Sequence, residues 1–548
     1  MNVTNHKNST TLLLIGVLLL AAILRLYQLD FGRPFLYHPD EIKLVTQAGR
    51  LLETRFMDKD AYFGIRVYPP FYTYMLAGAM GVYILGGLVT GHFESLSSVT
   101  QAYQTDAFQF FMVSRLLVVL MGVATVYLLY LLAKRLYSNK IALIAALLLA
   151  VSFLHVRNSH FGTVDVPSTF LGIWTIYLAV LIQQTGRLNY YMLSGILLSL
   201  AVATKFSMGL LVLPIVFAHF SRSPVREWLK ALVDKKIWLT AVVSFVTFLI
   251  ACPIIWLDFQ ETWGGILGTS RFEKVGKIGS GGGFLSYWTG DQSDGFGAFY
   301  PNSIPATFGI VLTILMIVGI VLLIVRFRKG DWLLISFLIP TYYLFEHMSI
   351  KAMRHLLPLA PLFVLAAAIA LFWLADRLDF RGFRPVLISL VLVFVCVWNG
   401  LVSINYMNDL SSIDPRTEAS AWIAESIPEN STVMVENFPP PILDSGQPAF
   451  LSDMFDVIPA DMTRKSVQQS DSINQTIAKH DTIWYVADDF TRQIFTWKHT
   501  RVKYQDIVQD RKRLFQWIER QAEDKVVFQS QHPRLQPTIS IYKLVPQK

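Results

Sequence analysis

The chain has 548 residues, 53% of them hydrophobic and 16% charged, with a mean hydropathy of +0.45 and a formal net charge of +8. That balance excludes an ordinary soluble globular protein. The basic residues lie in short loops between apolar runs, so the charge calls for no nucleic-acid partner, and Cys252 and Cys396 both sit inside apolar runs, where they make neither a disulfide framework nor a metal site.

An apolar helix needs ~20 residues to cross a bilayer, and runs of that kind recur from Leu12 to about Tyr406. The first, 11–29, is followed by "RLYQLDFGRPF" with no small-residue cleavage site, so an uncleaved span is expected. Ten more are expected at 113–133, 141–155, 165–183, 190–204, 206–220, 237–257, 304–325, 332–350, 355–375 and 386–406, making eleven crossings. The loops "AKRLYSNK" (133–140), "SRSPVREWLKALVDKK" (221–236), "RFRKGD" (326–331) and "DRLDFRGFR" (376–384) carry the basic residues and are cytoplasmic under the positive-inside rule. An odd number of spans then puts the N-terminus inside and the C-terminal end outside. The run "FYTYMLAGAMGVYILGGLVTG" (71–91) is long enough to cross, but residues 92–114 hold Glu94 and Asp106 and no Lys or Arg, so it is expected on the outer face as a juxtamembrane or re-entrant helix.

Charge density changes after the last span: 35 of the 142 residues from Met407 on are charged, against 51 of the first 406. Residues 1–406 therefore form a transmembrane unit with a long first outer loop, 30–112, and residues 407–548 a soluble extracytoplasmic α/β domain. In that domain "DPRTEASAWIAESIPENSTVMVEN" (414–437) reads as a helix, a turn and a strand. "DTIWYVADD", "DKVVFQS" and "TISIYKL" read as further strands, with a helix near 505–522.

This topology collects the unusual polar residues on the outer side: Asp40 and Glu41 after the first span, Arg115 opening the second, and His155, Arg157, His160 and Asp165 between the third and fourth. Lys205 falls at the turn near 205, and His347, Lys351, Arg354 and His355 lie between the ninth and tenth. Ionisable groups at membrane depth are costly and mark pathways or sites, so a cavity opening outward is expected. In "LYHPDEIKLVTQAGRLLETR" (36–55), Pro39 stops the preceding segment and Asp40 can cap an amphipathic surface helix with Ile42, Val45, Gly49 and Leu52 on its apolar face. On the residues alone, Asp40 as a mere cap and Asp40 as a functional acid stand level.

The ordered set "HPDE", "YPPFYTYMLAG" (68–78), "SRLLVVLMGVATVYLLYLLAKRLY" (114–137), "HVRNSHFGTVDVPSTF" (155–170), "GILLSLAVATKFSMGLLVLP" (195–214) and "SIKAMRHLLPLAPLF" (349–363) resembles the membrane glycosyltransferases of the GT-C fold. It is most similar to the branch that holds the dolichyl-phosphate-mannose protein mannosyltransferases and the bacterial lipid A aminoarabinose transferase. The resemblance implies a polytopic α-helical enzyme of the plasma or inner membrane. Such an enzyme moves a sugar from a polyprenyl monophosphate, undecaprenyl or dolichyl, to a glycan, glycolipid or protein acceptor outside the cytoplasm. It also implies that Asp40, at the first acidic position of the family motif, is the general base, with Glu41 orienting the acceptor or the helix and Asp165 positioning substrate. A departing polyprenyl phosphate needs cations. Lys351, Arg354 and His355 at i, i+3 and i+4 of a helix would share a face, with Lys205 and Arg115 as further phosphate ligands. For Arg115 a snorkelling side chain is the favoured reading, and His155, Arg157, His160 and His347 are weaker candidates. No obligatory cofactor is expected, although one Mg or Mn between Asp40, Asp165 and the phosphate stays open. The glycine cluster "GSGGGF" (279–284) lacks a P-loop lysine and reads as an outer lid. Two other classes compete: a non-catalytic polyprenyl-lipid-binding envelope protein, which would need the cations but not Asp40, and a secondary transporter, whose site would lie at mid-depth between repeated halves.

Overall fold

The computed structural model describes residues 2–33, 35, 37–53, 69–257, 259, 299–346, 352–378, 382–436, 456–459, 466–480, 482–489, 505–532 and 536–545. His347, Lys351 and the glycine cluster at 279–284 lie outside them. The first ten α-helices among the described residues are α1 (Asn2–Leu26), α2 (Pro39–Glu53), α3 (Phe71–Thr90), α4 (Leu96–Thr105), α5 (Phe108–Leu136), α6 (Asn139–Val151), α7 (Phe153–Asn158), α8 (Asp165–Thr185), α9 (Leu188–Val202) and α10 (Val212–Phe220). Then come α11 (Lys235–Ala251), α12 (Phe299–Phe308), α13 (Ile310–Val325), α14 (Lys329–Glu346), a 3-10 helix (Met353–Leu359), α15 (Ala360–Arg377) and α16 (Arg384–Leu410).

Among the described residues six helices are long and apolar enough to cross a membrane, or up to eight if each sharply bent pair is one span. The expected eleven are not all present as straight spans, and the breaks have local causes. The runs expected at 141–155 and 190–204 form α6 and α9, of 13 and 15 residues, each ending at a polar break near Ser152 and Thr204. Cys252-Pro253 ends α11, because proline cannot continue the hydrogen-bond ladder. Gly309, at φ 81°, bends α12 against α13 by 120°. Residues 206–220 open as a 3-10 helix and bend by 104° into 225–232. The helix expected to lie across the outer face, α3, passes the length and hydropathy test for a span. It packs on α5, where Tyr72 meets Ser114 and Tyr83 meets Gln109, and it counts among the six candidate spans.

The core of the bundle is α15, apolar on every side from Ala360 to Leu371. Its alanines admit α13 to backbone contact at Gly319, where an added Cβ would fall 1.9 Å from the Ala366 carbonyl oxygen. Two ends are chemically distinct. At one, the basic loops meet: Arg222 donates to the carbonyl of Ile182, Lys236 to that of Gly186, Lys329 to that of Ser221, and Tyr137 to Asp331. The candidate site gathers at the other, roughly 30 Å away along α5 from Arg135 to Arg115 at about 1.5 Å per residue.

After α16, the chain builds α17 (Pro415–Ser426), β1 (Thr432–Val435), β2 (Asp456–Pro459), α18 (Ser466–His480), β3 (Ile483–Asp488), α19 (Gln505–Gln521), β4 (Ala522–Phe528) and β5 (Ile539–Leu544). The sheet order is β2-β1-β3-β5-β4. β1 is parallel to β2 and β3, whereas β5 runs antiparallel to β3 and β4. The two sheet faces bury different helices: Ile473, Ile477, Leu514 and Ile518 pack on one, and Ala419 and Ile423 on the other. The expected boundary at 406/407 falls inside α16, which continues to Leu410.

Candidate active site

The four-residue stretch His38-Pro39-Asp40-Glu41 starts α2, with the His38 carbonyl accepting from the amides of Glu41 and Ile42. Its buried stripe is Glu41, Leu44, Val45 and Ala48, at i, i+3, i+4 and i+7, while Leu52 is 45% exposed. The face expected from Ile42, Val45, Gly49 and Leu52 is therefore turned, and the turn carries the Glu41 carboxylate inward. There Arg115 meets it with both prongs, Nε to Oε1 at 3.0 Å and Nη2 to Oε2 at 3.1 Å, and both side chains are 1% exposed. Arg115 Nη1 donates to the carbonyls of Leu29 and Phe31, and its guanidinium lies 3.8 Å from the Phe31 ring centroid. The Gly162 amide donates to Glu41 Oε1 at 2.7 Å. Only glycine permits this approach, since a Cβ at 162 would stand 2.1 Å from Ser114 Oγ. Arg115 is accordingly no snorkelling residue, and it and Glu41 spend their hydrogen bonds on each other and on the surrounding backbone.

Neighbouring positions on a helix are about 100° apart, so with Glu41 turned in, Asp40 takes another direction. Its Oδ2 accepts from Arg354 Nη1 at 3.1 Å. Arg354 and His355 lie in the 3-10 helix, and the shared face expected with Lys351 falls outside the described residues. A second pair stands alongside: Lys205 Nζ donates to Asp165 Oδ1 at 2.6 Å, from the break after α9 to the first turn of α8. Arg354 and His355 lie within electrostatic reach of Asp165, and Lys205 within reach of His355. Thus segments near 40, 165, 205 and 354 deliver two carboxylates and three basic side chains to one end of the bundle. Among the described residues no three His, Cys, Asp or Glu side chains converge as a metal set. With Asp40 and Asp165 each facing a cation, the arrangement suits a ligand that carries negative charge.

The weaker candidates serve internal contacts. His155 Nδ1 faces Arg25 at 2.9 Å, and Arg157 donates to the Tyr406 hydroxyl at 2.9 Å. His160 has ring nitrogens 2.9 and 3.0 Å from the carbonyls of Val156 and Tyr27. Arg25 escaped the sequence reading. Fully buried at the end of α1, it donates to the carbonyls of Ala21, Leu149 and Ala150 as well. Its signal in the sequence is a lone arginine in the last turn of an apolar run, and since arginine only donates, His155 Nδ1 must accept. His38 is the other overlooked residue. Its ring packs on Phe161 with centroids 4.7 Å apart, and its Nδ1 is buried with no hydrogen-bond partner among the described residues.

Burial pushes His38 below its ordinary range and His160 down to about 4 from 6.5, although for His160 the two carbonyls pull the other way. Folding shifts both rings toward the neutral form, so they bind protons more readily when unfolded. Stability is therefore present above pH 6.5 and is lost as the pH falls through the interval from 6.5 towards 4, by up to about 3 kcal/mol for His160. Thermal midpoints of the detergent-solubilised protein at pH 7.5 and 5.0 should show the loss, and His160→Gln should reduce it. An unchanged midpoint would mean that the ring is charged in the folded state.

Residues 108–256 match the family model described as dolichyl-phosphate-mannose-protein mannosyltransferase. That segment holds Arg115, Asp165 and Lys205 but not Asp40 or Arg354. Over nearly the whole chain the fold matches ArnT of Cupriavidus metallidurans, solved bound to undecaprenyl phosphate, with TM-score 0.53, 12% identity and 98% of each chain covered. It also matches the oligosaccharyltransferase of Archaeoglobus fulgidus, solved with a tethered acceptor peptide containing an NVT sequon, with TM-score 0.55 and 13% identity over 92% of this chain and 72% of that one. This chain has the GT-C glycosyltransferase fold. It is a multi-pass membrane protein, and residues 108–256 are similar to the mannosyltransferase family. An uncharacterized protein of Aquifex aeolicus is 36% identical over 114 residues, which is 20% of this chain and 23% of that relative.

Proposed function

We propose that this GT-C protein transfers a sugar from a polyprenyl monophosphate, undecaprenyl or dolichyl, to an acceptor on the extracytoplasmic face, with Asp40 as general base. The observation that carries the reading is the pairing of Asp40 with Arg354 beside Asp165 with Lys205 at one end of the bundle. A phosphate arriving there competes with the carboxylates for the cations. Arg354 can grip it through two parallel bonds and Lys205 as a point charge. As Arg354 turns to the phosphate, Asp40 is released to accept the proton of the acceptor hydroxyl. The hydroxyl oxygen then bonds to the anomeric carbon, the carbon–oxygen bond to the phosphate breaks, and its electron pair stays on the polyprenyl phosphate. Arg354, Lys205, His355 and Lys351 would stabilise that charge as it develops. Glu41 and Arg115 hold the start of α2 and touch no substrate, and Asp165 orients Lys205. A single displacement with one base inverts the anomeric configuration.

The basic end of the bundle faces the cytoplasm in this proposal, which puts the site and the C-terminal unit outside the plasma or inner membrane. Glycans, glycolipids and proteins are the acceptor classes. The test is turnover of a panel of radiolabelled polyprenyl-phosphate sugars by the purified protein, with crude envelope as acceptor source. Transfer from one donor with an inverted linkage by NMR is expected. Binding without turnover of any donor would favour a lipid-binding envelope protein, and a retained linkage would remove the single-displacement mechanism.

A further inference from the structure

We infer that Tyr37 is a positioning residue through which the C-terminal α/β unit sets the place of Asp40. The inference rests on the proposed role of Asp40. Tyr37 stands in the stretch that leads into α2, three positions before Asp40. Its partners come from the other end of the chain. The Tyr37 hydroxyl is hydrogen-bonded to Thr417 Oγ1, and the Arg416 guanidinium lies 3.9 Å from the centroid of its ring. A cation held over a ring face at that distance is attracted to it, more strongly where water is excluded.

The clamp is rigid because Asp414 builds it locally. Its Oδ1 accepts from the Arg416 amide, capping α17, and also from Arg416 Nε at 2.9 Å, while Oδ2 accepts from Nη2 at 2.7 Å. Both charged side chains are 7% exposed or less, so the guanidinium has one orientation available, parallel to its own carboxylate and across the tyrosine. Contacts on either side continue the brace. Tyr27 donates to Asn408 Oδ1 at 2.7 Å, and Phe31 and Phe161 pack with Met407, Tyr406 and Leu410 at the end of α16. The approach to α2 is thereby fixed on its inner side by the Glu41–Arg115 pair and on its outer side by α16 and α17. Asp40 lies between the two. This gives the C-terminal unit a role in the chemistry that its lack of a catalytic motif does not reveal.

The test uses the full-length protein with Arg416→Ala, Arg416→Lys, Tyr37→Ala and Tyr37→Phe, each checked for folding by size exclusion in detergent. Hydrogen exchange at the amides of residues 42–48 should accelerate by about tenfold or more in Arg416→Ala and Tyr37→Ala, since local opening sets that rate. Turnover should fall by about 10- to 100-fold in the same variants with donor Kd within about threefold, the pattern of a displaced catalytic group. Tyr37→Phe, which keeps the stacked ring, should restore most of both. Arg416→Lys, which keeps the charge without the planar fork, supplies the reading if Arg416→Ala fails to fold. Unchanged exchange in α2 with a twofold or smaller loss of turnover overturns the inference, as does an equal loss in Tyr37→Phe and Tyr37→Ala. Should wild type turn over no donor while exchange in α2 still responds to Arg416, the glycosyltransferase reading fails and the clamp stands.

Discussion

Asp40→Asn should lower sugar transfer by about 10²- to 10⁴-fold, the range for loss of a general base, while donor affinity changes by only a few-fold. Asparagine keeps the size of the side chain and an oxygen able to accept from Arg354, so the start of α2 and the cation both retain their places. What it lacks is a site for the acceptor's proton. Arg354→Ala and Lys205→Ala should behave differently, because they remove charge from the phosphate: donor Kd should rise, and turnover should fall with it. Binding of a radiolabelled donor beside turnover separates the two patterns. Loss of donor binding in Asp40→Asn, with turnover per bound donor unchanged, would assign Asp40 to binding and leave the reaction without a base.

Much of this site is legible in the sequence, because an expensive residue in an apolar chain has few reasons to be there. Asp165 and Lys205 are 40 residues apart and were placed at one membrane face from loop charge alone, and the structure joins them by a hydrogen bond. What pattern could not decide was the division of labour between Asp40 and Glu41. Either stripe of α2 is apolar enough to be the buried one, and the choice is made by contacts from elsewhere: Arg115 on α5 and the amide of Gly162. The breaks within the expected spans escape pattern for a similar reason. Hydropathy is insensitive to a single Gly309 or Pro253, yet each ends a ladder of backbone hydrogen bonds. Arg25 was passed over because a cation at the end of a span reads as interfacial. Only the convergence of three carbonyls and His155 makes it internal.

Arg115→Met should destabilise the protein by about 3–5 kcal/mol, the cost of leaving one charge of a buried pair alone. Among the described residues the methionine leaves the Glu41 carboxylate with the Gly162 amide alone, and it takes the Arg115 donor from the Leu29 and Phe31 carbonyls. Glu41→Gln should cost less, because the amide oxygen can still receive Gly162 and one prong of Arg115, and the Phe31 face still covers the cation. The double variant removes both charges, so its loss should fall short of the sum by about 1–3 kcal/mol, the coupling typical of contacting residues. Unfolding in graded denaturing detergent at pH 7.5 measures all three. Additive losses below about 1 kcal/mol each would mean a hydrated pair of the kind found at surfaces, at odds with burial on every side. The same variants decide the role of Glu41. If it anchors α2, Glu41→Gln loses stability and turnover together, and conditions that restore folding restore activity. A Glu41→Gln protein of wild-type stability with turnover down a hundredfold would move Glu41 from the frame of the site into its chemistry.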